Sequence, residues 1–357
     1  MKALMDQFVC VRLVQANRLD LTKFQFDYDL TFSVFFMNSD GTVYGRYGTR
    51  SSRKEANREL SGNGLAAAMS GALTLHQNYP KNKASLAGKQ SKPTKFKTPD
   101  DFPSLKGKFK PTINYEKNTS QSCLHCHQVT DAERAIFRNA GKPIPDKLLF
   151  LYPMPQVVGL SLDPKTRATV DSVADKSSAE AAGFRKGDEI LTLNGQPILS
   201  IADVQWLLHH ADDTDRIVAV VRRRNGSRAS LKIMLNTGWR RATDISWRVS
   251  SWPLRRMGTG GLVLKSLSTK ERKRANLPES QLALRVDGMG RYGPHAAARR
   301  AGFRKGDILI SFNGRTKPQS VSGLLALATQ TTKPGQRIPV IVLRNGKRIK
   351  LTLPMQR

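Results

Sequence analysis

Residues 121–141, QSCLHCHQVTDAERAIFRNAG, hold two of the chain's three cysteines and two of its six histidines, in the order Cys123, Leu124, His125, Cys126, His127. Cys-x-x-Cys-His is the pattern of covalent haem c attachment. Two thiols one helical turn apart can each form a thioether to a haem vinyl group, and the adjacent imidazole of His127 then reaches the iron. The stretch DAERAIFRNAG has helical composition and ends in glycine, which predicts a helix leading out of the attachment turn. Two other chemistries use the same residues. A tetrahedral zinc site needs four ligands, and no second Cys/His pair follows. A Cys123–Cys126 dithiol needs only the two sulfurs, with His125 placed to depress a thiol pKa. Haem c is the expectation carried forward, with zinc or no cofactor as the alternatives. Met154, in LYPMPQ, is a soft thioether donor for the sixth iron position, although its other reading is a core residue of the following domain. His76 and the pair His209–His210 are further candidates.

The elements that would position this motif are clearest downstream. AGFRKGDEILTLNG (182–195) returns as AGFRKGDILISFNG (301–314), 119 residues later. Each copy is followed by a helical stretch (200–211 and 320–330), then strand, turn and strand. The Asn-Gly pairs at 225–226 and 345–346 are hairpin signals, since both turn residues must accept positive φ. A period of this length fits two copies of one small domain rather than a solenoid.

GFRKGDxI followed by xNG resembles the PDZ domains of bacterial HtrA-type proteases, over about 150–238 and 245–357. The resemblance implies a glycine-containing loop that offers backbone N–H groups to a peptide's C-terminal carboxylate, with the peptide adding as a strand to the sheet edge. VVGLSL (157–162) and GGLVLKSL (260–267) are the candidates for this loop. Gly159 and Gly261 would turn the amides, and Val158, Leu160, Leu262 and Val263 would line the pocket for the last side chain. The first copy is expected to be the better receptor, because STKERKRANLPES (268–280) crowds the second. No Gly-rich nucleophile loop with partner His and Asp is present, so proteolysis by this chain is not expected.

The N-terminal part reads as a strand (7–15), a hairpin (31–50) and a helix (53–77), resembling the second half of a thioredoxin fold. Cys10 stands alone in the expected strand. Residues 80–112, rich in Lys, Pro, Gly and Ser, read as a basic linker extended by its own charge, with an anionic-surface tether as the alternative. This order of modules is similar to the thioredoxin-like/PDZ fusion proteins of planctomycete-type bacteria, some of which carry a selenocysteine. The resemblance implies an exported, redox-associated protein.

The fold class expected is α+β multidomain: a thioredoxin-like half-fold (1–79), linker (80–112), CxxCH segment (113–149) and PDZ-like domains at 150–238 and 239–357. Net charge is +31, yet the basic residues are spread and no recognition helix or zinc finger accompanies them. Specific nucleic-acid recognition is therefore not expected, and weak association with anionic surfaces is. No apolar run is long enough for a spanning helix. Haem c implies a periplasmic or otherwise exported protein, while no export signal opens the sequence; a missing N-terminal part would account for that and for the half-fold. The expected function is a periplasmic electron-transfer protein whose PDZ domains bind partner C-termini. The alternative is a non-catalytic peptide-binding scaffold with a structural CLHCH.

Overall fold

Both copies of the repeat build antiparallel sheets with one strand order, in a computed structural model that describes residues 1–52, 59–116 and 119–357. Its strands are β1 (Val34–Met37), β2 (Val43–Tyr47), β3 (Leu160–Asp163), β4 (Thr169–Val173), β5 (Glu189–Leu193), β6 (Gln196–Pro197), β7 (Asp215–Arg222), β8 (Arg228–Leu235), β9 (Leu262–Ser266), β10 (Leu284–Met289), β11 (Ile308–Phe312), β12 (Arg337–Arg344) and β13 (Lys347–Pro354). Its longer helices are α1 (Gly62–Gln77), α2 (His127–Asn139), α3 (Ile201–His210), α4 (Ser251–Thr259), α5 (Thr269–Arg274) and α6 (Val321–Thr331). The first repeat runs β3-β4-β5-β7-β8, with β6 beside β5; the second runs β9-β10-β11-β12-β13. β3 and β9 are thus sheet edges.

The shared motif has the same physical use in both copies. Asp188 accepts from the amide of Arg185 at 2.8 Å and pairs with Arg223, which also reaches Gly183 O. Asp307 accepts from Arg304 N at 2.8 Å and pairs with Arg344, which reaches Gly302 O. A nearly buried carboxylate therefore closes the GFRKGD turn and pins the hairpin behind it. The two hairpins differ. Asn345 and Gly346 both have positive φ in a two-residue turn, as expected. At 223–227 only Gly226 does, because five residues separate β7 from β8 and a longer loop needs one left-handed residue.

By its internal contacts the chain forms two units, Met1–Cys126 with Phe150–Thr243, and His127–Leu149 with Asp244–Arg357. This differs from the expected boundaries: the 113–149 segment is divided, and its helix joins the second repeat.

In the first unit the core of the repeat collects Val158, Leu160, Ile190, Leu208, Ile217 and Ile233. The N-terminal part shares a second cluster with it. Tyr44, Tyr47, Ala68, Met69 and Leu86 pack with Leu199 of the repeat. A two-stranded ribbon cannot bury a core by itself, and β1–β2 with α1 is completed by the repeat rather than by further strands. The expected strand at 7–15 is not formed: among the described residues these pair with no strand, Val9 is 94% exposed, and Cys10 is exposed rather than a buried hydrophobe. The expected helix over 53–77 starts at Gly62, capped by Ser61; residues 53–58 lie outside the described residues.

Residues 80–112 are not an extended linker. Leu86 and Phe102 are buried there, and Gly88 O accepts from Trp206 Nε1 at 2.9 Å. Lys89, 1% exposed, places Nζ 2.7 Å from Asp203 Oδ2, itself 2% exposed. Burial pulls the Lys89 ammonium below its ordinary pKa, while Asp203 acts the other way. Asp203 also accepts from the backbone amides of Arg46 at 3.1 Å and Leu199 at 2.9 Å. One carboxylate thus ties β2, the 80–112 segment and α3 together.

In the second unit α2 is held by two buried guanidiniums one turn apart. Arg134 donates to the carbonyls of Leu148 at 2.7 Å and Ser250 at 2.9 Å. Arg138 donates to Gln356 O at 3.0 Å, Met257 O at 3.1 Å and Thr332 O. Burial pushes the Arg138 guanidinium down to about 10, with Arg256 adding to the effect. α4 packs closely on α6, since a Cβ at Gly258 would lie 3.0 Å from Ala328 Cβ.

Asp203→Ala leaves the Lys89 charge buried without its carboxylate and is expected to cost about 3–5 kcal/mol in urea unfolding. Lys89→Met should cost clearly less, because Asp203 keeps its two amide donors. Equal losses would show that the pair is not what ties the segment down.

Candidate functional site

The CLHCH motif is positioned by a residue outside it. Asn17, 2% exposed, donates from Nδ2 to Lys110 O and Ser122 O, both at 2.8 Å, and accepts the Leu124 amide on Oδ1 at 2.7 Å. Three of the four hydrogen-bonding capacities of a buried carboxamide are used to fix the backbone around Cys123. Leu124 is buried beside it and His125 is exposed. Residues 123–126 form a bend and a turn, not the helical turn expected between the two cysteines. Both thiols are unpaired and half-buried. Burial pushes the Cys126 thiol up from its ordinary value, and neighbouring Cys123 adds to that. A raised thiol is a poorer nucleophile at neutral pH, which weighs against an activated dithiol.

The predicted helix is present as α2, and Gly141 follows it with φ +66°. His127 is its first residue. Its Nδ1 lies 3.3 Å from Asp131 Oδ2, one turn on, an arrangement that orients an imidazole for ligation through Nε2. Cys123 and Cys126 belong to the first unit and His127 to the second. Among the described residues no group of three or more His, Cys, Asp or Glu side chains is placed to hold a metal ion, so a four-ligand zinc site is not assembled by them.

Met154 packs against the core of the first repeat, with its sulfur 3.3 Å from Thr49 Oγ1. Thr49 also donates to Gln205 Oε1 at 2.6 Å, and Gln205 Nε2 donates to Tyr152 O at 2.9 Å. The Tyr152 ring stacks on His209 with centroids 4.2 Å apart. His210 meets the Trp206 carbonyl, and His76 the Tyr44 hydroxyl. The side of α3 carrying Gln205 and His209 is therefore covered by the chain itself.

Both loop glycines have the left-handed backbone expected of them, φ +91° at Gly159 and at Gly261. Their amides are used differently from the expectation. Gly159 N donates to Gln156 O at 3.0 Å, and Gly261 N to Arg255 O at 2.9 Å. Each closes the helical turn before it, the role of glycine at a helix C-terminus. Both glycines are buried. Val158, Leu160 and Leu262 are core residues rather than the walls of a pocket, and Val263 alone of the expected lining is half-buried. A Cβ at Gly261 would lie 1.9 Å from the carbonyl oxygen of His295; at Gly159 it would meet the Ser177 side chain at 2.2 Å.

Residues 147–235 match the family model of the PDZ domain. The chain is 26% identical over 194 residues to a probable periplasmic serine endoprotease DegP-like of Pseudomonas putida (strain GB-1), covering 54% of this chain and 39% of that protein. It is 25% identical over 195 residues to the protein of the same description from Ectopseudomonas mendocina (strain ymp), with the same coverage. The chain thus spans about two fifths of the length of these relatives. Among solved structures, the HtrA-type protease AlgW with decapeptide matches at 19% identity over 41% of this chain and 50% of that one, with a TM-score of 0.26. The serine endoprotease from Yersinia pestis matches at 18% identity over 41% and 62%, with a TM-score of 0.20. The PDZ match over the first copy and the similarity to DegP-like endoproteases agree with the reading of the repeated motif. No helix among the described residues is long and apolar enough to cross a membrane.

Both glycines should resist replacement by alanine. Gly261→Ala meets the His295 carbonyl oxygen and Gly159→Ala meets Ser177 Cβ, atoms that no side-chain rotation moves away, in addition to the left-handed strain. Each is expected to lose more than about 2 kcal/mol in thermal or urea unfolding. A loss below about 1 kcal/mol at either position would contradict the close neighbour assigned to it.

Proposed function

We propose that this chain is a protein-interaction protein whose two PDZ-type sheets take up partner segments as added strands at β3 and β9. One observation carries the reading: in both units the loop glycine leads directly into a strand that ends its sheet. An edge strand offers unpaired amides and carbonyls in register, and strand addition is the recognition mode of the PDZ fold. The absence of a nucleophile loop from this sequence favours binding over proteolysis, even though the relatives are described as endoproteases. A peptide library displayed on phage and panned against the full chain should enrich segments of alternating apolar residues. Amide exchange at Leu162 and Leu264 should slow when an enriched peptide is added. A library that yields nothing above bare resin would end this reading.

A second reading, covalent haem c at CLHCH, is favoured by the His127–Asp131 contact and by two unpaired thiols at the attachment spacing. Cys123 and Cys126 would form the thioethers and His127 would be the axial ligand, its ring held by Asp131. The group would supply one-electron transfer when bound. An exported location belongs to this reading, since haem c is attached outside the cytoplasm. Met154 is the weaker ligand candidate, its thioether already lying against Thr49. Expressed with export and a haem-attachment system, the chain should yield haem that resists acid–acetone extraction. Cys123→Ala with Cys126→Ala should release it, and Met154→Ala should leave the spectrum unchanged. Colourless protein from the unsubstituted chain would overturn the haem reading without touching the first.

A further inference from the structure

We infer that the second repeat takes up an internal, acidic strand of a partner protein along β9, and that it does so without a free C-terminus. The inference deepens the edge-addition reading above and rests on it.

The register of β9 supplies the hydrogen-bonding groups. Leu267 N donates to Ala283 O at 3.5 Å, so Leu267 faces β10. Backbone direction alternates along an antiparallel strand, and Lys265 therefore also faces β10 while Leu264 and Ser266 turn their N–H and C=O to the open edge. Lys265 and Ser266 are exposed, whereas no residue of β3 is. The second repeat is thus the more accessible edge, the reverse of what the charged insertion suggests in sequence.

A terminal carboxylate has nowhere to bind behind this edge. The Gly261 amide is bonded to Arg255 O, and Gly261 itself is buried. The carbonyl oxygen of His295 lies against both Gly261 and Gly290, where an approaching carboxylate would meet a second partial negative charge. No pocket for a last side chain replaces it on α6, since Leu325, Ala328 and Thr329 are buried and α4 packs there. What remains is main-chain pairing, which an internal segment satisfies as well as a terminus does.

Charge then selects among strands. α5 follows β9 after two residues and carries exposed Lys270, Lys273 and Arg274. With Lys265 these four cations are in no ion pair among the described residues. The acidic groups nearby are already neutralised: Glu271 and Asp287 both bind Arg285, and Glu279 lies 3.4 Å from Arg272. A strand passing Ser266 toward α5 meets uncompensated positive charge, which favours carboxylates in the partner.

The probe is a short peptide alternating valine with glutamate, acetylated and amidated, titrated into the full chain by fluorescence anisotropy at low and high salt. It should bind, and the same peptide with a free C-terminal carboxylate should bind within about a factor of two, because no charged hydrogen bond to the terminus is made. Replacing glutamate by lysine in the peptide should weaken binding at least about tenfold, as should Lys270→Glu with Lys273→Glu in the protein. Ser266→Pro, which removes one outward N–H from an edge position that tolerates proline, should have a similar effect. The peptide series decides the matter without reference to how the variants fold. A free acid at least about tenfold tighter than the amide overturns the inference and leaves strand addition standing. Equal binding of the lysine peptide overturns the acidic preference. Failure of every peptide, together with an empty phage library, overturns the edge-addition reading itself.

Discussion

Lys89 and Asp203 meet at 2.7 Å where neither reaches solvent. The arrangement of the first unit depends on that contact. A lone ammonium or carboxylate at such depth is unfavourable by several kcal/mol, so neither residue can be buried without the other. Asp203 cannot leave, because it stands in α3 and also accepts two backbone amides. The 80–112 segment must therefore stay docked, and with it Gly88, whose carbonyl takes the Trp206 indole N–H. The Arg46 guanidinium lies over the Trp206 ring at 3.6 Å, adding a cation–π contact to the same joint. An N-terminal ribbon too small for a core of its own thereby acquires one.

The second unit applies the same rule with arginine. Arg134 and Arg138 point inward from α2 and gather six backbone carbonyls from distant parts of the unit, including Leu149 O and Gln356 O. A planar guanidinium suits this work better than an ammonium, since several donors diverge from one rigid centre and serve carbonyls that no strand or helix would satisfy. Much of what holds the non-repeat segments is thus cation-to-carbonyl bonding. A chain of net charge +31 uses several of its cations inside and leaves the rest to its surface.

The sequence was most legible where local rules act. The GFRKGD turn, the hairpin at Asn345–Gly346 and the helix after CLHCH all follow from residue type and spacing, and the structure has them. Where segments pack on one another the reading was poorer. Residues 80–112 look like a solvated linker because lysine normally faces water, and only the distant Asp203 makes Lys89 an exception. Residues 7–15 have the apolar, valine-rich composition of a strand, yet pairing needs a neighbour, and none is present among the described residues. Asn17 stands 106 positions before Cys123 in a run without periodicity, so its hold on the motif carried no local signal. The mixed α/β class and the PDZ-like repeat were readable, whereas the thioredoxin-like half-fold expected at the N-terminus is not shown. The packing around the sites was not readable, because it depends on contacts between residues far apart in the chain.

The loop glycines show how one backbone conformation serves two ends. A residue at φ +91° can aim its amide at a ligand or back into the preceding turn, and glycine is suited to both. Sequence records only the glycine. Which use prevails depends on what precedes it: Pro155–Val158 and α4 both end in carbonyls to which Gly159 and Gly261 donate. Freeing the Gly159 amide for a carboxylate would leave Gln156 O without that donor, at roughly 1–3 kcal/mol where water cannot replace it. Arg255 O also accepts from the Gly260 amide and the Thr259 hydroxyl, so the cost at Gly261 is only the bond itself. A charge-assisted bond to a peptide terminus returns a similar amount, so a swap gains little. The next residue of each strand carries no such obligation to the turn. Recognition that uses the strand edge leaves both caps intact, and binding by main-chain pairing is therefore compatible with the fold as it stands.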